Sequence, residues 1–458
     1  MKKLVSIVLL FAMLFSLSAC SFLPGIGEKT ESDTETNTQT ATGTNTQTNT
    51  NTNTNTGTYV PPILDHDTIT YAVKYSKDKK KIYFGSYSFK APAFTEYYND
   101  YEAALSMTFD DGADIAAANL ANDIMEQYGF KGTLMVNIGS IQGNVSKWQE
   151  LVAKGTLDIG CHGWSHLDPS TITQDQMEHE IKDAYDYLWE HFPDEKPVTY
   201  ATPFSRLTDS YTQYLKETGF IANRLEVGGT MISPKTENPN MYALYSKRID
   251  TGNNIESMVR TNVDGGLSAG NWFIELYHNV RTQDGTDVPE ADFRAHCQWL
   301  YETYNGKVWF ASYDDVAKYI VQRQNATIEY TAVDNESMTF VAKVNEGCDY
   351  GQEMTAKFYL PFFADSAYAI IDGEEVYLTL KKETNARSVM LNIPVTESGT
   401  EIKIVFGGND KYFNNCTHTY VENEVVEPTY DTYGYTEMIC TNPKCEHTYK
   451  SKYTDKLN

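Results

Sequence analysis

Two acids and two histidines in this sequence have the residue types and spacing of metal ligands. Asp110 and Asp111 directly follow the apolar run Leu105–Phe109, and His162 and His166 follow a second apolar run later in the chain. Two histidines four residues apart can lie on one face of a helical turn, so that both imidazoles reach the same cation. With one carboxylate they form a set with open coordination positions, which is typical of catalytic metal sites.

Each of these signals is common when it stands alone. An Asp-Asp-Gly sequence after a strand more often serves a turn and a helix cap, and the His-x-x-x-His spacing often arises by chance. Their joint position is more specific, because both follow apolar strands within an alternating strand and helix pattern. Parallel α/β sheets and barrels bind ligands at the carboxyl ends of their strands.

The residues around these side chains resemble a known family. The segments 108–112 (Thr-Phe-Asp-Asp-Gly) and 162–166 (His-Gly-Trp-Ser-His) are similar to the first two motifs of the polysaccharide deacetylases, the NodB-homology carbohydrate esterases. The segment 272–278 resembles the late apolar strand of that family, which ends in Leu-x-His. The resemblance covers roughly residues 100 to 323 and implies a distorted (β/α) barrel that removes acetyl groups from a glycan by hydrolysis.

The resemblance also implies a role for each side chain. Asp111, His162 and His166 would hold a divalent metal, most simply zinc, with cobalt, manganese or nickel as alternatives. Such an ion lowers the pKa of bound water from about 15.7 toward about 7 and polarises a carbonyl. Asp110 would be the general base, and His278 the general acid that protonates the departing amine or alcohol. Adjacent acids on an extended chain point to opposite sides, which permits one ligand and one base.

The sequence departs from the family pattern beside both catalytic groups. Ala201 stands where the family has an arginine that usually pairs with the base, and either Arg206 or Arg224 could replace it. Asn279 follows the late histidine in place of the usual aspartate, and the segment 248–250 (Arg-Ile-Asp) could support that histidine instead.

Three further residues are expected to contact the substrate. Phe204 corresponds to the family tyrosine whose backbone N–H stabilises the oxyanion, and Pro203 precedes it. Trp164, inside the histidine motif, has an aromatic face that can line a sugar groove or can pack in the core. The substrate is therefore expected to be an acetylated glycan.

The elements that position these residues follow from the hydrophobic pattern. Alternation of strands and helices predicts parallel strands with helical crossovers, in a domain over residues 60–324. Asp114 can cap the first helix, Thr173 and Gln176 form a capping box, and the helix 314–324 should end the barrel. The predicted strands are 105–109, 132–136, 157–161, 198–201, 221–227, 272–277 and 308–312.

Beyond this domain the sequence changes character. Short strands separated by turn residues predict a small all-β sandwich over residues 325–410, with either a bracing or a sugar-binding role. The tail, residues 411–458, carries Cys416, His418, Cys440 and Cys445. These residues could bind a structural zinc ion, and a disulfide is the competing interpretation. The other cysteines of the domains, Cys161, Cys297 and Cys348, show no disulfide spacing.

The N-terminal region indicates export and anchoring. Residues 1–19 have the charged start and short apolar stretch of a signal peptide. They lead to Leu-Ser-Ala-Cys, which resembles a bacterial lipobox and implies lipidation of Cys20. Residues 20–59 are rich in Thr and Asn and should form a disordered linker. We therefore expect a lipid-anchored protein on the extracellular face of a Gram-positive-type membrane.

Charge narrows the choice of partner. The chain of 458 residues has 62 acidic and 37 basic residues, for a formal net charge of −25. Such a balance argues against nucleic acid and against a polyanionic substrate held by bulk electrostatics. The sequence therefore predicts a metal-dependent deacetylase of peptidoglycan, of an N-acetylglucosamine polymer or of acetylated xylan. The alternative is a non-catalytic carbohydrate-binding lipoprotein that has kept the metal ligands.

Overall fold

The structure is a computed structural model, and it describes thirteen segments of the chain. The signal peptide, Cys20 and the linker lie outside them, as do Cys416, His418 and Cys445, so those expectations stay predictions. The described residues are 70–71, 74–75, 81–84, 87–233, 238–250, 255–281, 287–334, 336–361, 364–382, 387–407, 420–430, 432–441 and 448–454.

A parallel sheet of nine strands holds the predicted site residues. Its order is β6-β5-β4-β3-β2-β1-β8-β7, and β9 pairs with the start of β1. The edge strands β6 and β7 are separated only by Ser246, so the sheet must curve back on itself into a nearly closed, distorted barrel. The strands are β1 Ala103–Asp111, β2 Gly132–Val136, β3 Leu157–Cys161, β4 Thr199–Ala201, β5 Ala222–Leu225, β6 Leu244–Tyr245, β7 Lys247–Arg248, β8 Trp272–Tyr277 and β9 Val308–Phe310.

This architecture confirms the predicted fold class. Seven predicted strands are present, although β4, β5 and β9 are shorter than their apolar runs because the chain turns at their ends. The strands β6 and β7 have two residues each, which is too short for a hydrophobic period to reveal.

Helices lie between the strands, and two of the predicted caps form. The Asp114 carboxylate accepts hydrogen bonds from the N–H groups of Ala116 and Ala117, at 2.9 and 3.2 Å. Thr173 and Gln176 form the predicted capping box. The α-helices are α1 Ile115–Glu126, α2 Ile138–Ile141, α3 Val145–Val152, α4 Gln174–Glu178, α5 Ala184–His191, α6 Asp209–Thr218, α7 Arg260–Ser268, α8 Glu290–Tyr304 and α9 Tyr313–Gln324; π-helical turns cover His179–Asp183 and Ile255–Val259.

Two antiparallel sheets follow the barrel, as the short strands predicted. One contains β10, β11, β17, β13 and β14, and the other contains β15, β16 and β12. Apolar side chains from both sheets share one buried cluster. The strands are β10 Ala326–Asp334, β11 Ser337–Val344, β12 Glu353–Leu360, β13 Ala367–Ile371, β14 Glu374–Tyr377, β15 Lys381–Lys382, β16 Arg387–Pro394 and β17 Thr400–Phe406.

Two of the short lead-in strands, which precede β1, pair with the sheets of the β-sandwich. Thr70–Tyr71 pairs with β10, and Ala93–Phe94 pairs with β12. Both therefore extend the sheets of the β-sandwich, because its open edges offer unpaired backbone groups. The remaining lead-in strands, Lys74–Tyr75, Lys81–Phe84 and Tyr87–Lys90, form a small antiparallel sheet.

Helix α9 joins the barrel to the β-sandwich. Tyr319 belongs to the apolar cluster of the sandwich, whereas Ile320 packs in a cluster with barrel residues. The buried Gln322 side chain accepts hydrogen bonds from the N–H groups of Tyr350 and Gln352, at 3.0 and 3.3 Å, and donates to the carbonyl of Gln352 at 2.8 Å. One helix therefore contributes to both hydrophobic cores.

One expectation about the cysteines was wrong, and the tail contains a small sheet. Cys348 is disulfide-bonded, so the expectation from its spacing was wrong: sequence separation does not report spatial proximity. The tail forms an antiparallel sheet of Tyr420–Val426, Gly434–Cys440 and Thr448–Thr454, with Cys440 buried at the end of its middle strand. In the described segments, no helix has the length and apolar character that crossing a membrane requires.

Candidate metal centre and catalytic site

Three predicted metal ligands converge at the carboxyl ends of neighbouring strands. Asp111 ends β1, and His162 and His166 follow β3. One ligand atom from each of the three lies within 4.8 Å of the others. His162 Nε2 and His166 Nε2 are 3.8 and 3.9 Å from Asp111 Oδ1. Two imidazoles and one carboxylate at these separations fit a single divalent ion, because small shifts bring them to about 2.0–2.2 Å from a common centre.

The histidines reach this position from a loop, so the expected helical turn was wrong. Gly163 has φ 90° and His166 has φ 59°, both outside helical backbone. The loop is fixed by hydrogen bonds from Ile138 N to Gly163 O at 3.1 Å and from Gly139 N to Trp164 O at 2.8 Å. The loop thus folds back over the start of α2, and this brings the second imidazole beside the first.

A buried glutamate that the sequence analysis missed holds the same loop. Glu180 is fully buried in the π-helical turn, and its carboxylate accepts from Ser165 N at 2.8 Å and Leu167 N at 3.4 Å. A Cβ on Gly163 would lie 2.6 Å from Glu180 Oε2, so only glycine allows this approach. An acid on the apolar side of a predicted helix, next to Ile181, was the available signal.

His162 is prepared for metal binding by its hydrogen bond and by burial. Its Nδ1 lies 2.8 Å from the carbonyl oxygen of Ala201, and only a protonated Nδ1 can donate there. The lone pair is therefore on Nε2, which faces Asp111. Burial, followed by the nearby His166, lowers the pKa of His162 to about 4. The imidazole is thus neutral near pH 7, the form that binds metals.

Asp110 has a different environment from Asp111. It is 6% exposed, and its Oδ1 accepts a hydrogen bond in an ion pair with Arg224, which is 2% exposed. Its Oδ2 lies 3.7 Å from His162 Nε2. Burial lowers the pKa of Arg224 to about 10, so the guanidinium remains charged at neutral pH. Arg224, on β5, therefore supplies the pairing that Ala201 cannot, whereas Arg206 binds the exposed loop residue Asp168.

Asp111 leaves the extended conformation that was expected of it. Its φ is 77°, and both acids approach His162 Nε2 from the same region instead of pointing to opposite sides. Asn137 Nδ2 donates to Asp111 Oδ1 at 3.1 Å. Asn137 follows β2 directly and was missed, although the strand-end rule applied to β1 would have found it.

His278 follows β8 and lines the same cleft as Asp110. Burial lowers its pKa below the ordinary value, and the nearby Asp111 opposes this effect. Its Nδ1 is buried with no hydrogen-bond partner in the described part of the chain. The expected support from the segment 248–250 is directed elsewhere: Arg248 pairs with Asp250 at 3.1 Å and lies 4.0 Å from Glu226.

The expected substrate residues differ in exposure. Phe204 is 59% exposed, has φ 54°, and its ring lies edge-on to His166 with the centroids 4.5 Å apart. Pro203 is buried, so it shapes this turn and offers little surface to a substrate. Trp164 is half-buried and packs on His179 at 4.5 Å between ring centroids. Trp164 therefore packs against the protein on one side and keeps accessible surface on the other, so both expected positions apply in part.

Comparison with known proteins agrees with this geometry. The structure has a parallel barrel with two histidines and a carboxylate at its strand ends, a set of side chains that could hold a divalent ion where barrels bind their ligands. Residues 98–222 match the model of the polysaccharide deacetylase family. The resemblance of the motifs to the polysaccharide deacetylases of the NodB type is therefore confirmed over this part of the barrel, which includes Asp110, Asp111, His162 and His166.

Two curated relatives are similar over parts of the chain. A gellan lyase of a Bacillus species is 27% identical over an alignment of 263 residues, which covers 53% of this chain and 10% of that protein. A peptidoglycan-N-acetylglucosamine deacetylase of Bacillus cereus is 26% identical over 119 residues, 26% of this chain and 54% of that protein. The chain thus spans a tenth and about half of the lengths of these relatives.

Solved structures are also similar to about half of the chain. A putative polysaccharide deacetylase from Mycobacterium smegmatis has 14% identity and a TM-score of 0.39, covering 50% of this chain and 93% of that one. A family 4 carbohydrate esterase from Streptomyces lividans, in complex with acetate, has 16% identity and a TM-score of 0.33, covering 46% and 92%.

Proposed function

We propose that this protein is a hydrolase that removes acetyl groups from a glycan with the help of a divalent metal ion. The observation that carries the proposal is the convergence of Asp111, His162 and His166 beside the buried Asp110, within the part of the barrel that matches the polysaccharide deacetylase family. An ion held there would activate water and polarise the acetyl carbonyl. Zinc is the ion that best suits this ligand set, with cobalt, manganese and nickel as alternatives.

The side chains around the ligands divide the proton transfers between them. Asp110 Oδ1 is held by Arg224, while Oδ2 faces the ligand atoms and can accept the proton of the attacking water. His278 lines the same cleft and can protonate the departing nitrogen or oxygen. The N–H of Phe204, in the exposed turn beside His166, is the candidate donor to the oxyanion.

The substrate we propose is an acetylated polysaccharide. The relative from Bacillus cereus is described as a peptidoglycan-N-acetylglucosamine deacetylase, which supports a polymer that contains N-acetylglucosamine. Acetylated xylan is the second candidate. The exposed Phe204 ring and the half-buried Trp164 offer apolar faces to sugar rings of either polymer.

The alternative of a non-catalytic binding protein rested on the missing arginine. Arg224 fills that role from β5, so the base retains its counter-charge. This geometry favours the enzyme over the binding protein.

We further propose that the protein acts at the extracellular face of the membrane, anchored by lipid on Cys20 after cleavage of residues 1–19. The disulfide at Cys348 supports an oxidising compartment. For the tail, the buried Cys440 is compatible with both a zinc site and a disulfide.

Acetate release tests this function. The full-length protein is incubated with N-acetylglucosamine oligomers, peptidoglycan and acetylated xylan, before and after chelation and then with added zinc. We expect acetate from at least one glycan, loss after chelation and recovery with zinc. If no glycan of the panel releases acetate although the protein binds glycan normally, the result would favour the non-catalytic alternative.

A further inference from the structure

A second groove lies at the end of the barrel opposite the metal ligands. It has a volume of about 540 Å³ and is bounded by the turn before β1, the end of α1, strand β9 and the start of β12. Strand β1 begins at Ala103, beside β9, and ends at Asp111. At about 3.3 Å per residue, the groove and the metal ligands are therefore about 25 Å apart. No step of the proposed reaction uses this groove.

Aromatic side chains form much of its lining. Tyr98 and Trp309 lie together with ring centroids 5.7 Å apart and planes at 33°. Tyr128 and Phe310 line the other part. All four are half-buried, which means that each ring is packed on one side and retains accessible surface. Apolar surface that stays open in this way suits a ligand with apolar faces of its own.

The packed sides of these rings make the lining rigid. Trp309 meets Tyr319 of α9 edge-on at 5.4 Å between centroids, and Phe310 stacks on Phe130 at 4.1 Å. The accessible faces are thus present before any ligand arrives, and their ordering does not reduce affinity.

Uncharged amides and three charged side chains complete the lining. Asn99 and Asn305 are exposed, and the half-buried Gln352 side chain donates to Asp315 Oδ1 at 3.3 Å. Carboxamides both donate and accept, which matches hydroxyl groups. The ionisable groups are one exposed lysine and two acids, so the groove does not favour a polyanion.

The turn that carries Tyr98 is fixed to the β-sandwich. Asn99 has φ 52°, and its N–H donates to Thr355 Oγ1 at 2.7 Å. The Asn99 side-chain oxygen accepts from Asn392 Nδ2 at 2.9 Å. Barrel and sandwich together therefore hold the groove walls in place, and removal of either would remove half of the groove.

We propose that this groove is an accessory binding site for an uncharged stretch of polysaccharide. Pyranose rings present C–H faces that stack on aromatic rings and hydroxyl groups that pair with amides. A volume within roughly 300–1,000 Å³ suits a ligand of a few sugar units. The groove is a feature of the structure whatever the protein does. The choice of a glycan over a peptide as its ligand rests on the proposed function. Its role is to retain the polymer while the distant site acts on it.

Retention on polysaccharide, measured apart from catalysis, tests this proposal. The full-length protein is run in native gels that contain a soluble chitin derivative or xylan, and affinity for the retarding polymer is read from the mobility. We expect Trp309→Ala and Tyr98→Ala to weaken affinity at least tenfold, while acetate release from a short acetylated oligosaccharide stays unchanged. Tyr430→Ala, at a tyrosine that is 72% exposed and outside the groove, is the matched control.

A polar variant covers the case in which removal of a ring unfolds the protein. Asn305→Ala with Gln352→Ala leaves the turn at Tyr98 and the aromatic packing intact, and it should also weaken retention at least tenfold. Wild-type mobility of these folded variants, or no retention of the wild-type protein by any glycan, would overturn the proposal. Retention by peptidoglycan that is lost when its peptides are removed would overturn the proposal too. If the wild-type protein is retained by the glycan but releases no acetate, the result would instead contradict the proposed function alone.

Discussion

The environments of two adjacent acids, Asp110 and Asp111, distinguish their roles. Asp110 is buried and paired with a guanidinium, whereas the Asp111 side chain is 35% exposed and faces both histidines. A carboxylate already engaged by arginine is a poor ligand, but its second oxygen can still accept a proton. We therefore propose that Asp111 binds the metal and that Asp110 transfers the proton.

Replacement of Asp110 by asparagine tests this division. Because the amide cannot accept the proton of water, we expect acetate release to fall by about 10²–10⁴. Metal content, measured by elemental analysis, should remain near that of the wild-type protein. Asp111→Asn is the matched control and should lose metal. The reverse pattern of metal loss would show that the two assignments are exchanged.

The ion pair between Arg224 and Asp110 can be tested by replacing the arginine. Arg224→Met leaves a buried carboxylate without its counter-charge, which should reduce the free energy of unfolding by about 3–5 kcal/mol and reduce kcat/KM as well. Arg206→Met removes an ion pair at the surface, which solvent screens, and should change the free energy of unfolding little. Denaturant unfolding and acetate release measure both effects, and equal losses in the two variants would contradict the role given to Arg224.

The sequence identified residues whose position follows from a strand end, and it missed those that depend on tertiary contacts. Asp111, His162 and His278 were predicted because apolar runs precede them. Arg224 was one of two candidates for the arginine that pairs with Asp110. Sequence spacing does not show which side chain lies next to that carboxylate. Glu180 was missed because its role depends on a helix packing against a loop.

Among the structural elements, the loop between β3 and the next helix sets the arrangement of the proposed metal ligands. Its two histidines can reach one cation because the backbone adopts positive φ at Gly163 and His166. The π-helical turn places a carboxylate under this loop, where it accepts two N–H groups. Sequence spacing predicted the convergence correctly and the local backbone wrongly.

Gly163→Ala tests the importance of this loop. The added Cβ would lie 2.6 Å from Glu180 Oε2, at a φ of 90° that disfavours alanine. We expect the loop to shift and metal affinity to fall by about 10–100-fold, as for other groups that orient ligands. Gly143→Ala, where a Cβ meets nothing within 4 Å, is the control. Competition with a chromogenic chelator measures the affinities, and identical values would contradict this role of the loop.

At the scale of the whole molecule, the barrel and the β-sandwich form one structure through α9. The change from alternating strands and helices to short strands predicted the two parts. It could not predict that lead-in strands from before the barrel pair with the sandwich, because pairing between distant edges leaves no local pattern.

Gln322→Met tests this junction. The change keeps the side-chain volume but leaves the part-buried N–H groups of Tyr350 and Gln352 and one carbonyl without the partner that Gln322 provides. We expect the free energy of unfolding to fall by at least about 2 kcal/mol. Gln298→Met, on the exposed surface of α8, should change it little. Thermal unfolding of both variants measures the difference, and an unchanged midpoint for Gln322→Met would show that the junction contributes little.

The central claim is that one metal ion, held by Asp111, His162 and His166, is required for hydrolysis of an acetyl group. Titration of zinc into the metal-free protein, with acetate release followed at each addition, tests it most directly. We expect activity to be absent without metal, to rise with zinc and to stay absent in His162→Gln at every zinc concentration. Undiminished acetate release from protein shown by elemental analysis to be free of metal would contradict it.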